Sequence, residues 1–245
     1  MRDAAAMTTR TQLVLVPGFW LGGWAWDDVV PALRAAGVEP HPVTLPGLDP
    51  DDRGTDPAAV TRADHVRAVT DVVDALDGDV VLVGHSGGGA VVGEAVDRRP
   101  DRVRRAVYVD SGPLEDGAVL ALDLPADAPG IPLPSWEELA AAGSSLDGID
   151  ADGLARFRAR AVPHPGGVAR GAVHVSDPRR FDVPVTAVCT SLPSEVLRTM
   201  VDGGPPLHTE LGRYDVTYVD LPTGHWPMFS RPGDLAAVLV DAARA

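Results

Sequence analysis

Lysine is absent from this 245-residue chain, so all 21 basic residues are arginine, outnumbered by 35 acidic ones. The formal charge of −14 excludes the usual electrostatic route to nucleic acid or an anionic membrane, because phosphate surfaces are repelled. One cysteine, Cys189, rules out an internal disulfide framework and suits a reducing compartment. It falls inside an apolar strand pattern and reads as a small buried hydrophobe. No apolar run approaches the length of a membrane span. The opening residues, MRDAAAMTTR, lack the apolar core of a signal peptide. Residues 1–10 are therefore expected to be a disordered leader, and the protein to be cytoplasmic.

What the chain does contain is an alternation of short apolar runs with helical patterns. Gln12 to Val16, Val38 to Thr44, Val80 to Val83, Val103 to Val109, Val183 to Cys189 and Asp215 to Val219 read as strands. Helical patterns lie between and after them, over Trp24 to Ala36, Val60 to Leu76, Val91 to Arg99, a short piece opened by Ser194 as N-cap, and Pro232 to Ala243. Alternation of this kind implies a parallel sheet covered on both faces, with ligands at the carboxyl ends of the strands. From 114 to 180 the pattern changes to a stretch crowded with proline, glycine and aspartate, holding short helical pieces around Trp136 to Ala142 and Leu154 to Ala161. This reads as an insertion, with residues 11–113 and 181–245 forming the core.

The chemistry is signalled by DVVLVGHSGGGAVV, residues 79 to 92. A buried strand ends in Gly84-His85-Ser86-Gly87-Gly88 and a small-residue helix follows, which is the setting that gives G-x-S-x-G its meaning. The turn must lift the serine hydroxyl off the sheet, so a Cβ at either flanking glycine would clash. The serine also lands at a helix N-terminus, where unpaired N–H groups favour an oxyanion.

LVLVPGFWLGGWAWDDVVPAL, VVLVGHSGGG and GHWPMFSRPGDLA together resemble the α/β-hydrolase superfamily, and within it the compact methylesterase and hydroxynitrile-lyase branch. The resemblance spans the chain except the insertion. It implies a mostly parallel six-stranded sheet, helices on both faces and a small helical lid over 114–180. It also implies Ser86 as nucleophile, His225 as general base, and the backbone N–H groups of Phe19 and Gly87 as the oxyanion hole. Two positions depart from the family pattern. Pro17 replaces a histidine in the first loop, which backbone donors can survive. Where the family carries Cys-Thr-Glu-Asp, this chain reads Cys189-Thr190-Ser191-Leu192, so a leucine stands in the place of the acid. Asp110, at the end of the fourth strand, and Glu195, a few residues past the lost acid, are the two replacements; rigid anchoring on a strand favours Asp110.

The remaining candidates are weighed by setting. Trp20 and Trp226 neighbour the expected site residues and are expected to line the substrate pocket, whereas Trp24 and Trp26 pack a helix. Trp136 and Phe157 either roof the site or form the insertion's own core. His85 is expected to pack beside the elbow. His41, His65, His164, His174 and His208 lack metal-ligand spacing, so neither metal nor cofactor is expected. Asp49, Asp51, Asp52 and Asp56 read as a solvated loop face. The expected activity is hydrolysis of a small-molecule carboxylic ester or lactone through a Ser-His-acid triad. The alternatives are a catalytically weak binder on the same scaffold, and a cyanohydrin lyase. The lyase branch places a lysine after the catalytic histidine, and here that residue is Trp226 in a chain without lysine.

Overall fold

A computed structural model of the chain describes residues 10–52, 54–203 and 210–245. His208 and, but for Arg10, the expected leader lie outside the described residues.

Six strands form one sheet: β1 (Gln12–Val16), β2 (Glu39–Pro42), β3 (Val80–His85), β4 (Val103–Val109), β7 (Val185–Cys189) and β8 (Val216–Asp220). Their order is β2-β1-β3-β4-β7-β8, and every neighbouring pair is parallel. The chain leaves β1 toward one edge and returns through β3 toward the other, so the direction of winding reverses between these two strands. The ends of β1 and β3 flank the switch point at which such sheets bind ligands.

The central strands are apolar on both faces. Leu13, Leu15, Val81 and Val83 enter one core with Val29, Leu33, Leu235 and Leu239, carried by or next to α1 (Val30–Ala35) and α9 (Pro232–Arg244). Val14, Val16, Val80 and Leu82 enter the other with Val66, Val69 and Val73 of α2 (Arg62–Ala75) and Val91, Val92 and Ala95 of α3 (Gly88–Arg98). Burial on both sides explains why these strands read as continuous valine and leucine runs.

Three local expectations change. The helix expected over Trp24 to Ala36 divides into a 3₁₀ turn, Gly23–Trp26, and α1. Pro31 decides this, since a residue without an N–H is tolerated only in a first turn. Ser194 is not an N-cap but the first residue of α7 (Ser194–Gly203). Its N–H and hydroxyl both donate to Asp220, at the end of β8. The 114–180 segment holds α4 (Trp136–Ala141) and α5 (Ala151–Arg160) as expected, but also a two-residue antiparallel ladder of β5 (Gly130–Ile131) with β6 (His164–Pro165) and a short α6 (Gly166–Arg170). A ladder that short carries no periodicity to read. The last short helix, α8 (Pro227–Ser230), follows the Gly224-His225-Trp226 loop.

Candidate active site

Three non-glycine residues among those described adopt a left-handed backbone: Trp20 (φ 67), Ser86 (φ 51) and Asp110 (φ 45). Each follows a strand on the same rim of the sheet. Strain of this kind costs about 1–3 kcal/mol per residue and persists where the surroundings over-determine it. At Ser86 the surroundings are glycines. A Cβ on Gly84 would lie 2.8 Å from the Gly89 Cα, and one on Gly88 would lie 2.5 Å from the Pro17 oxygen. The Ser86 N–H donates to the Val109 carbonyl at 3.2 Å, and the Ser111 hydroxyl donates to the Ser86 carbonyl at 2.6 Å. The elbow is thus pinned to the end of β4 from both sides.

His225 arrives from the loop after β8, and its ring bridges two of these residues. Nε2 lies 2.8 Å from the Ser86 Oγ, and Nδ1 lies 2.6 Å from Asp110 Oδ2. The side chains of His225 and Asp110 are 16% and 9% exposed, so both are largely shielded from water. Burial alone would raise the Asp110 pKa. The hydrogen bond and charge of His225, with the hydroxyl and N–H of Ser191, outweigh it and hold the carboxyl well below the usual range. Asp110 stays ionised.

Ser191 was not foreseen as a site residue. Its hydroxyl donates to Asp110 Oδ2 at 2.6 Å, its N–H to Oδ1 at 3.1 Å, and the Thr190 N–H reaches the same oxygen at 3.3 Å. The loop after β7, where the family keeps its acid, here donates three hydrogen bonds to a carboxylate on the neighbouring strand. The sequence signal was a serine next to the displaced leucine. Glu195 is exposed on α7 and takes no part in this cluster.

The His225 loop leans on the 114–180 segment. Its N–H donates to the Ser145 carbonyl at 2.7 Å, and the Gly224 N–H to the Asp147 carbonyl at 3.1 Å. A Cβ on Gly224 would fall 2.6 Å from the Ser145 oxygen, so only glycine permits that approach. From below, the His85 Nε2–H donates to the His225 carbonyl at 2.7 Å. Full burial, with His225 nearby, pushes the His85 pKa down to about 3, so this imidazole is a neutral prop.

Phe19 packs face to face with His164 of β6, centroids 3.7 Å apart, and a Cβ on Gly87 would lie 2.5 Å from the Phe19 ring. Gly87 borders the cavity beside Ser86. The expected pocket tryptophans lie elsewhere. Trp20 donates its indole N–H to the Ile131 carbonyl at 2.9 Å and accepts from the Val162 N–H, which ties the loop after β1 to the 114–180 segment. Trp226 is 2% exposed, edge-on to His225 at 4.8 Å and to Phe157 at 5.3 Å. Phe157, fully buried, also meets Trp136 and Phe229, so Phe157 belongs to a core and roofs nothing. Trp24 and Trp26 are buried in the same core. A large ring gains more from complete burial than from a half-open wall, which is why the aromatics retreat from the cavity.

The cavity that opens beside Ser86 has a volume of about 360 Å³. Apart from Ser86, Asp110, Ser111 and Ser191, its walls are mainly aliphatic, with Ala90, Leu114, Leu120, Val188, Leu192 and Leu197 among them. Cys189 also borders it. Burial, with Asp220 and Asp110 nearby, pushes the thiol up to about 11, so it is not a nucleophile at neutral pH. Among the described residues no group of three or more metal-ligating side chains comes together. No helix of the described residues is long and apolar enough to cross a membrane.

The description "Alpha/beta hydrolase family" applies to the family model that matches residues 13–238. The chain belongs to the alpha/beta hydrolase family. A pyrethroid hydrolase from Sphingobium wenxiniae is 26% identical over 250 residues, 97% of this chain and 89% of that protein. A carbendazim-hydrolysing esterase from a Nocardioides strain is 40% identical over 124 residues, 47% of this chain and 48% of the esterase, about half its length. Among solved structures, a methylesterase from Arabidopsis matches with a TM-score of 0.74 at 23% identity, over 96% of this chain and 99% of that one.

Proposed function

We propose that the protein hydrolyses a small-molecule carboxylic ester or lactone through a Ser86–His225–Asp110 triad. The observation that carries this reading is the unbroken chain of hydrogen bonds, 2.8 Å from hydroxyl to imidazole and 2.6 Å from imidazole to carboxylate. The Ser86 Oγ attacks the ester carbonyl carbon while His225 Nε2 takes its proton. Asp110, ionised and fixed by Ser191, stabilises the imidazolium and keeps Nδ1–H pointed at itself. The tetrahedral oxyanion sits between the N–H groups of Gly87 and Phe19, whose loops the packing of the Phe19 ring on Gly87 holds together. The carbon–oxygen bond to the alcohol then breaks, and the alkoxide leaves with the proton from His225. Water, deprotonated by the same ring, releases the acid and restores Ser86. A lactone follows the same steps, its alcohol staying tethered to the acid. Residues 114–180 act as lid and as brace for the His225 loop.

The reading as an inert binder drew on the missing carboxylate after β7, and Asp110 behind the imidazole removes that ground. The lyase reading lacks its lysine. Relatives named as esterases support the reaction class. Rapid mixing with p-nitrophenyl acetate is expected to release a burst of about one equivalent of nitrophenol. Ser86→Ala should abolish both burst and turnover; full turnover in that variant refutes the proposal.

A further inference from the structure

The polar side chains bordering the cavity beside Ser86 are engaged with one another. Asp110 is bound by His225 and Ser191, and the Ser111 hydroxyl is spent on the Ser86 carbonyl. Among the described residues no arginine or histidine borders it. A substrate arm entering it therefore meets one ionised carboxylate and three hydroxyls, all already paired, and a wall that is otherwise mainly aliphatic. An anionic arm would be repelled, and a hydrogen-bonding one would find no free partner to replace water. Leu192 is central to this arrangement. With the acid carried by β4, the place of the family's carboxylate is free for a leucine, which faces Leu197 of α7 and Leu114 and Leu120 of the 114–180 segment around one cavity.

Resting on the triad reading above, we infer that this cavity takes an uncharged aliphatic arm of the ester, and that Leu192 is a specificity-determining residue for it. Moving the acid from β7 to β4 thus changes the substrate as well as the triad. Each methylene that leaves water for such a wall is worth about a fourfold gain in affinity for the transition state.

Two ester series separate the arms: p-nitrophenyl esters of straight-chain acids from acetate upward, and acetates of straight-chain alcohols. In one of the two, kcat/KM should rise about fourfold per methylene until the cavity fills, and then level off. A terminal carboxylate on the longest good substrate should cancel that gain. Leu192→Asn should flatten the rise with chain length. A flat series in both arms, equal use of the charged analogue, or an unchanged slope in Leu192→Asn overturns the inference while Ser86-dependent turnover of the acetate leaves the triad standing. Calorimetric titration of Ser86→Ala with 1-octanol and with octanoate tests the cavity without any turnover. Octanol should bind more tightly than octanoate and more weakly once Leu192→Asn is added; equal binding of the two overturns the inference whatever becomes of the triad.

Discussion

Acid should destabilise this protein earlier than its carboxylates alone would require, because three imidazoles are buried as neutral groups. Burial, with Arg62 adding a smaller push, drives His65 down to about 4, although its Nε2–H donates to the Pro46 carbonyl. Burial drives His85 down to about 3 and holds His164 well below the ordinary 6.5. Around His164 stand the rings of Phe19 and His65 and the charge of Arg62, with no carboxylate among the described residues near enough to offset a proton. In the unfolded chain each imidazole titrates near ~6.5, so below that pH the unfolded state binds more protons than the native one. The stabilisation is complete above ~6.5 and is lost as the pH falls toward the depressed native values. At about pH 5 His65 and His85 have each forfeited about 2 kcal/mol, from about 1.4 kcal/mol per pH unit, and together about 4, with His164 acting in the same direction. That is a large part of the whole stability of an ordinary domain, about 5–15 kcal/mol. Glu94 works against this trend, since its burial outweighs the Arg62 charge and raises its pKa, so it gains a proton in the native state first. Urea unfolding near pH 7.5 and near pH 5 reads the difference. A change under about 1 kcal/mol refutes the argument. His164→Phe adds a sharper control. Neither ring nitrogen of His164 has a partner among the described residues, so the variant should lose part of the pH dependence and be no less stable at neutral pH.

Three further outcomes follow from the site and its surroundings. Asp110→Asn should lower kcat by ~10⁴ through the wrong imidazole tautomer, whereas Glu195→Gln should change it less than about twofold; steady-state kinetics that reverse this order would move the acid to α7. Ser191→Ala removes one of the donors that hold the Asp110 carboxyl low, so Asp110 becomes more basic and a stronger acceptor for the His225 Nδ1–H. The acid limb of the pH profile of kcat/KM should therefore move upward by a few tenths of a unit to about one unit, and Ser191→Thr should restore it. Phe157→Ala should cost about 3–5 kcal/mol in chemical denaturation, since that ring is fully buried against Trp136, Trp226 and Phe229; a loss below about 1 kcal/mol would mean the 114–180 segment is not packed on the core.

The amino-acid order by itself determined whatever depends on neighbours in the chain. The apolar runs set six strands, the valine-rich ones buried on both faces, and Gly84 and Gly88 permit the left-handed Ser86. A residue's own φ, its missing Cβ or its alternation with the next residue carries that information, so a single sequence displays it. The tertiary structure alone decided which carboxylate faces His225. Asp110 and Glu195 are both acidic residues near the end of a strand, and only the parallel pairing of β4 with β7 brings Ser191 and Thr190 against the first and leaves the second in solvent. The same holds for Trp226, buried under His225 instead of in the cavity, and for Ser145 and Asp147, whose carbonyls brace the loop after β8. These contacts join residues far apart in the chain, and their geometry follows from how whole layers pack, which no local pattern encodes.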